Sequence, residues 1–128
     1  MNREIKFRGK LVNSKEWAEG NLCIRVGGTY IITPDETILG KYGKVNKETV
    51  GQYTGLHDKN GKEIYEGDTI RIIVNNNIEK ICKVEFKNGI FGVMFSKHKD
   101  LTAFPHFCNT TFEVIGNIYD NTELLEGE

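Results

Sequence analysis

Four carboxylates fall close together in the middle of the chain: Asp58, Glu63, Glu66 and Asp68. Grouped carboxylates can hold a hard cation or, where burial raises one of their pKa values, act as general acid and base. A calcium loop tests the first use. With Gly61 set at the glycine of such a loop, Asp58 and Asn60 take ligand positions, but Leu56 stands where the first carboxylate belongs and Gly67 where the bidentate glutamate belongs. The calcium reading fails on those two residues. Turn chemistry explains the same segment with fewer demands: Asp58 and Asn60-Gly61 suit turns, and Gly67 suits a backbone conformation that other residues avoid. Asp68 can then pin the start of the next strand by side-chain to backbone hydrogen bonds. An acid–base site would instead need at least two of the four carboxylates enclosed together with raised pKa values.

His57, His98, His106 and Cys108 are the metal-ligating types outside that cluster. His106 and Cys108 are two residues apart, as a strand or loop could use, yet no Cys-x-x-Cys or His-x-x-x-His pair completes a tetrahedral zinc site. Cys108 could be a nucleophile with His106 or His98 as its base. The three cysteines, Cys23, Cys82 and Cys108, are scattered and odd in number, which suits reduced thiols better than a disulfide framework. Gly27-Gly28, Gly40 and Gly43 lack the spacing of a phosphate-cradling loop, and no Gly-Lys-Ser/Thr follows them. No catalytic, cofactor-binding or metal-binding set is predicted, and the expectation is a protein that is not an enzyme.

Basic residues near aromatics form the remaining constellation. Arg71, Lys83, Lys87, Lys97 and Lys99 lie in sequence near Phe86, Phe91 and Phe107. Exposed rings there could stack on bases while the cations meet phosphates. The competing expectation is that the rings form core and the lysines solvate the outer faces. A balance of 17 Lys+Arg against 18 Asp+Glu, a formal net charge of -1, gives no global field toward nucleic acid or an anionic membrane.

The elements that must position these residues read as strands. Apolar stretches are short, alternating and bounded by Gly or Asn, with Gly at 14 and Pro at only 2. Ile5-Lys6-Phe7-Arg8 begins a first strand, and Asn13-Ser14-Lys15 turns into a second that holds Trp17, Leu22, Ile24 and Val26. Gly27-Gly28 leads into Tyr30-Ile31-Ile32. From Thr33-Pro34-Asp35 to about Glu48 the period is lost, so that stretch reads as a connection or lid and as the domain boundary.

Thr69 to Val74 is a strand, Asn75-Asn76-Asn77 a turn, and Ile78 to Phe86 alternates, with Lys80 and Ile81 breaking the pattern as a bulge or a contact on the second face would. Asn88-Gly89 is a strong hairpin signal. Beyond it, Phe91, Val93 and Phe95 fall on one side and Ile90 and Met94 on the other. Ser96 to Asn109 reads as a long loop or helical turn, and Phe112 to Ile118 as the closing strand. The expected fold is all-β: an SH3-like small barrel in the C-terminal half, residues 49–128, with an N-terminal β-meander, residues 1–48, packed against it as one cooperative unit.

Three stretches carry a family resemblance: Arg3 to Arg8, the block from Val50 to Asp68, and Phe112 to Tyr119 with Asn121 and Leu124-Leu125. On these the chain resembles the YopX-like proteins of bacteriophages and prophages. The residues that carry the motif are Gly51, Tyr53, Gly55, Asp58, Asn60, Gly61, Ile64, Tyr65, Gly67, Asp68, Gly116 and Asn117, read here as structural. The resemblance implies an all-β protein with an SH3-like barrel, encoded by phages or prophages, and implies no activity.

The N-terminus lacks an apolar run of signal-peptide length, and nowhere do about 18 apolar residues occur together. The sequence therefore leads to a soluble cytoplasmic protein, without a membrane role or cofactor, that binds a host or phage protein. Nucleic-acid binding is the alternative, an enzyme using the acidic cluster is a remote one, and exposed strand edges leave self-association open.

Overall fold

The computed structural model describes residues 4–33, 41–74, 78–87, 89–95, 102–103 and 110–126. They form two antiparallel sheets, and the chain divides into two compact units, Met1–Gly55 and Leu56–Glu128.

In the first unit the strands are β1 (Phe7–Lys10), β2 (Trp17–Arg25), β3 (Gly28–Thr33), β4 (Lys41–Val45) and the start of β5 (Gly51–His57), hydrogen-bonded in the order β4-β3-β2-β1-β5. Phe7 lies opposite Gly20, Gly9 opposite Ala18, and Leu22 opposite Ile31, so these residues share one face. That face is the core, built on Ala18, Ile31 and Val45 with Phe7, Leu11, Leu22 and Val50 packed around them. The end of β1 also reaches β4: Leu11 bridges Val45, the Val12 N–H donates to the Lys44 carbonyl at 3.0 Å, and the Asn46 N–H to the Lys10 carbonyl at 2.8 Å. The four strands therefore roll until their two ends meet.

This corrects the expectation of a connection or lid over Thr33 to Glu48. Part of it is strand β4, and Val45 is core. Gly43, which breaks the apolar period in sequence, is what admits the strand: a Cβ there would stand 2.4 Å from Leu11 Cδ2. A single 3-10 turn, Lys47–Thr49, follows, with the Asn46 side chain accepting from the Glu48 N–H. Thr49 Oγ1 donates to the Asn46 carbonyl at 2.6 Å and accepts from the Lys10 N–H at 2.9 Å. Residues 34–40 of the expected connection lie outside the described residues.

The second unit holds the end of β5, then β6 (Glu63–Tyr65), β7 (Asp68–Val74), β8 (Ile78–Lys87), β9 (Ile90–Phe95), β10 (Thr102–Ala103), β11 (Thr110–Asn117) and a short helix α1 (Glu123–Glu126). Its sheet runs β10-β9-β8-β7-β11. Ile64, Ile70, Ile72, Cys82, Val84 and Val93 form the core, with Phe91, Phe112 and Val114 against it. The register that pairs Ile70 with Cys82 and Val84 with Val93 brings these side chains to one face. Each large aliphatic so buried contributes roughly 1.5–3 kcal/mol. A meander with a return strand beside β7 is compatible with the SH3-like barrel expected for this half.

At the hairpin signal, Lys87 pairs with Ile90 and Gly89 has φ +84°; Asn88 lies outside the described residues. Phe91 and Val93 face the core and Ile90 faces out, as the alternation requires. Of the bulge or second-face contact expected at Lys80-Ile81, the bulge is absent, because the β7–β8 register is continuous from Thr69 opposite Lys83 to Val74 opposite Ile78. Lys80 is an exposed residue in the row of Cys82 and Val84. An ammonium on a long aliphatic stem can end such a row without disturbing the ladder. The irregularity lies in β11, between Val114 and Gly116. Within the stretch expected as a loop or helical turn, Thr102 and Ala103 pair with Val93 and Gly92 as strand β10; the rest of Ser96 to Asn109 lies outside the described residues.

Candidate functional site

The acidic block is built into turns. Asp58, 7% exposed, accepts through Oδ1 from the N–H groups of Asn60 and Lys62, each at 2.9 Å, and through Oδ2 from the Val114 N–H at 2.9 Å. The Lys59 N–H donates to the Phe112 carbonyl at 2.8 Å. The loop between β5 and β6 thus closes on one carboxylate and occupies hydrogen-bonding groups of β11, an edge strand of the second sheet. Burial pushes the Asp58 pKa up, but the N–H groups of Val114, Lys62 and Asn60 and the charge of Lys62 outweigh it and hold the carboxyl below its ordinary value. A general acid at neutral pH needs the opposite shift.

Asp68, 1% exposed, accepts from the Tyr65 N–H at 2.7 Å, and Tyr65 Oη donates to Glu63 Oε1 at 3.3 Å. Gly55, Gly61 and Gly67 have φ of +89°, +83° and +93°. Gly67 donates to the Val84 carbonyl at 2.8 Å and accepts from the Ile118 N–H at 2.9 Å, tying the β6–β7 turn to two other segments. Past β11, Asn117 Oδ1 accepts from the N–H groups of Tyr119 and Asp120, both at 2.9 Å, while Asn121 Oδ1 accepts from the Asn117 N–H at 3.2 Å. Gly116 admits that asparagine, since a Cβ would lie 2.5 Å from Asn121 Oδ1. In β5, Gly51 lies opposite Arg8, and buried Tyr53 donates its N–H to the Lys6 carbonyl at 2.9 Å. Ile64 and Tyr65 are buried.

Of the other predicted groups, His57 is exposed at the end of β5, and His98, His106, Cys108, Lys97, Lys99 and Phe107 lie outside the described residues. Cys23 and Cys82 are free thiols. Among the described residues no group of three or more His, Cys, Asp or Glu could hold a metal ion. Arg71 and Lys83 project from the same face of neighbouring strands, and Lys87 follows in the same row. Carboxylates are interleaved there: Arg71 Nη1 lies 2.9 Å from Glu113 Oε1, and Lys83 Nζ 3.8 Å from Glu85 Oε1. Phe86 packs on Phe91 with ring centroids 4.7 Å apart.

Two features of the first unit escaped the reading of the sequence. Lys6, Arg8 and Lys10 alternate onto one face of β1, where Arg8 and Lys10 lie 4.6 and 5.5 Å from the Trp17 ring and Lys6 lies 5.3 Å from the Tyr53 ring. The second is the end of the β2–β3 hairpin, where Ile24 is 76% exposed and Val26 fully exposed. Arg25 Nε donates to Cys23 Sγ at 3.3 Å beside them. An aliphatic residue directly before Gly27-Gly28 was the available signal. Alternation counted Val26 into the strand, whereas β2 ends at Arg25.

A family model described as YopX protein matches residues 6–126. The chain belongs to the YopX family. A YopX relative from Bacillus subtilis (strain 168), described as SPbeta prophage-derived uncharacterized protein YopX, is 39% identical over 71 residues, covering 52% of this chain and 53% of that protein. The chain thus matches about half the length of that curated relative. The crystal structure of protein EF1440 from Enterococcus faecalis is similar across 97% of this chain and 99% of that one, with a TM-score of 0.63 and 27% identity. No helix among the described residues is long and apolar enough to cross a membrane. The YopX motif residues lie in turns, at close approaches and in the core.

Proposed function

We propose that the chain is a phage- or prophage-encoded, non-enzymatic binding module that acts in the bacterial cytoplasm on a host or phage protein. The exposure of Ile24 and Val26 at the end of the β2–β3 hairpin carries this reading. Neither residue belongs to the core cluster of its unit, and a turn gains nothing from aliphatic side chains in water. An apolar centre with a polar rim is what a protein partner buries. The prophage origin in the description of the B. subtilis relative supports the provenance. The lowered pKa of Asp58 and the engagement of Asp68 by the Tyr65 N–H support a scaffold role for the acidic block rather than acid–base chemistry.

Nucleic acid is the second reading, favoured by the cations of β1 around Trp17. Against it, Arg8 and Tyr53 are buried, Glu19 lies opposite Arg8, and Lys6 Nζ lies 3.7 Å from Glu4 Oε1. The test is to isolate the tagged full chain from phage-carrying cells with and without nuclease, identify what accompanies it, and measure binding of the purified candidate across salt. A nuclease-resistant protein whose affinity changes little with salt supports the reading. Nuclease-sensitive material with a steep salt slope overturns it in favour of nucleic acid.

A further inference from the structure

We infer that the end of the β2–β3 hairpin enters an apolar groove bordered by carboxylates on the partner protein, an inference that rests on the protein-binding reading above. Ile24 continues the core-facing row of β2 one step beyond Leu22, and its cross-strand neighbour is Thr29. It therefore extends the apolar row past the core into water, and Val26 stands at the turn beyond it. Exposed Val12, whose N–H donates to the Lys44 carbonyl, adds a third aliphatic side chain in this unit.

The charges of this region are mostly of one sign, with exposed Glu48 following Lys47. Arg25 and Lys44 are exposed, and neither Asn21 to Thr33 nor Lys41 to Lys47 contains an Asp or Glu. In a chain with 18 acidic and 17 basic residues this is a local cationic surplus around an apolar tip. Complementarity then asks for carboxylates at the rim of the occupant and apolar surface at its centre. Ile24 and Val26 offer no ring to stack on a base, and Tyr30, whose hydroxyl lies against Gly27, is half-buried. A protein groove fits both halves of the pattern.

The experiment places the photo-cross-linking residue benzoylphenylalanine at Val26, or at exposed Lys87 as a control, in the full chain within phage-carrying cells. The captured protein is identified, purified and titrated calorimetrically against the unmodified chain. The proposal expects cross-linking from Val26 and not from Lys87, with Asp or Glu in the cross-linked partner peptide. It expects Val26→Asp to weaken binding tenfold or more, and Arg25→Glu combined with Lys44→Glu to weaken it at least threefold, while circular dichroism and melting stay unchanged. A partner that binds Val26→Asp and the double variant as tightly as the parent overturns this site and leaves the protein-binding reading standing. Recovery of no protein from the tagged full chain overturns both. Flotation of the chain with phosphatidylglycerol–phosphatidylethanolamine vesicles, or a sedimenting dimer, either one abolished by Val26→Asp, overturns the groove in favour of lipid or a second copy.

Discussion

Between β5 and β6 the chain reverses through Asp58 to Lys62, and one buried carboxylate accepts three N–H groups, one of them from β11. Between β2 and β3 it reverses through Val26-Gly27, with Val26 fully exposed. The first turn is fastened by its side chain. The second takes its register from the ladder that pairs Arg25 with Gly28 and Ile24 with Thr29, so the residues at its tip are released from structural duty. A polar side chain in a turn can thus be wholly structural while an apolar one is the functional candidate, because what separates them is which groups each satisfies.

The sharpest way to break this contrast is to remove the fastened side chain. Asp58→Ala leaves the Val114, Lys62 and Asn60 N–H groups without their acceptor, and we expect a loss of about 3 kcal/mol in urea unfolding. A loss under about 1 kcal/mol would mean that the loop is held by its backbone alone. The same carboxylate sets a pH dependence. Its folded pKa lies below its unfolded one, so its contribution is full above the unfolded value of about 3.9 and disappears as pH falls through the lower folded value. Stability should therefore drop in acid below about pH 4, and Asp58→Asn should flatten that drop when melting is followed across pH.

Smaller effects sharpen the comparison elsewhere. Gly43→Ala places a Cβ against the far end of the Leu11 side chain, which can turn aside, so a loss of about 1–2 kcal/mol is expected in denaturant melts. Its size measures how far closure of β1 on β4 depends on that contact. Glu113→Gln removes a half-exposed ion pair with Arg71, and we expect under about 1 kcal/mol, shrinking with added salt.

Strand positions were legible where alternation and turn residues agreed, as at Asn88-Gly89 and in β7, because both signals are local. β4 was not legible: the reason Gly43 belongs in a strand is Leu11, thirty-two residues away in sequence, and a long-range contact leaves no local trace. β10 is two residues long and owes its form to pairing with Val93 and Gly92, which no local period could announce. At the hairpin end, type and spacing assign Ile24 and Val26 to the strand. Their exposure depends on where the core ends, which composition does not encode. Asp58 could be recognised as a turn residue, but that it reaches across to Val114 in β11 depends on tertiary pairing.

The smallest effect decides most. Val26→Asp adds a charge at a fully exposed turn position that lies outside the core cluster of its unit, so unfolding should shift by no more than about 0.5 kcal/mol. A larger loss would place Val26 in the fold's own packing and erase the distinction between the two turns. A shift within that bound, set beside the loss at Asp58, separates stability from surface in one chain: the polar turn holds the fold, and the apolar turn is open to selection for contact with something else. Because Ile24 shares the exposure while continuing the row of Leu22, Ile24→Asp should cost slightly more than Val26→Asp, since its inner neighbour is core. That order, read from urea midpoints at equal slope, fixes where along β2 the scaffold ends and the tip begins.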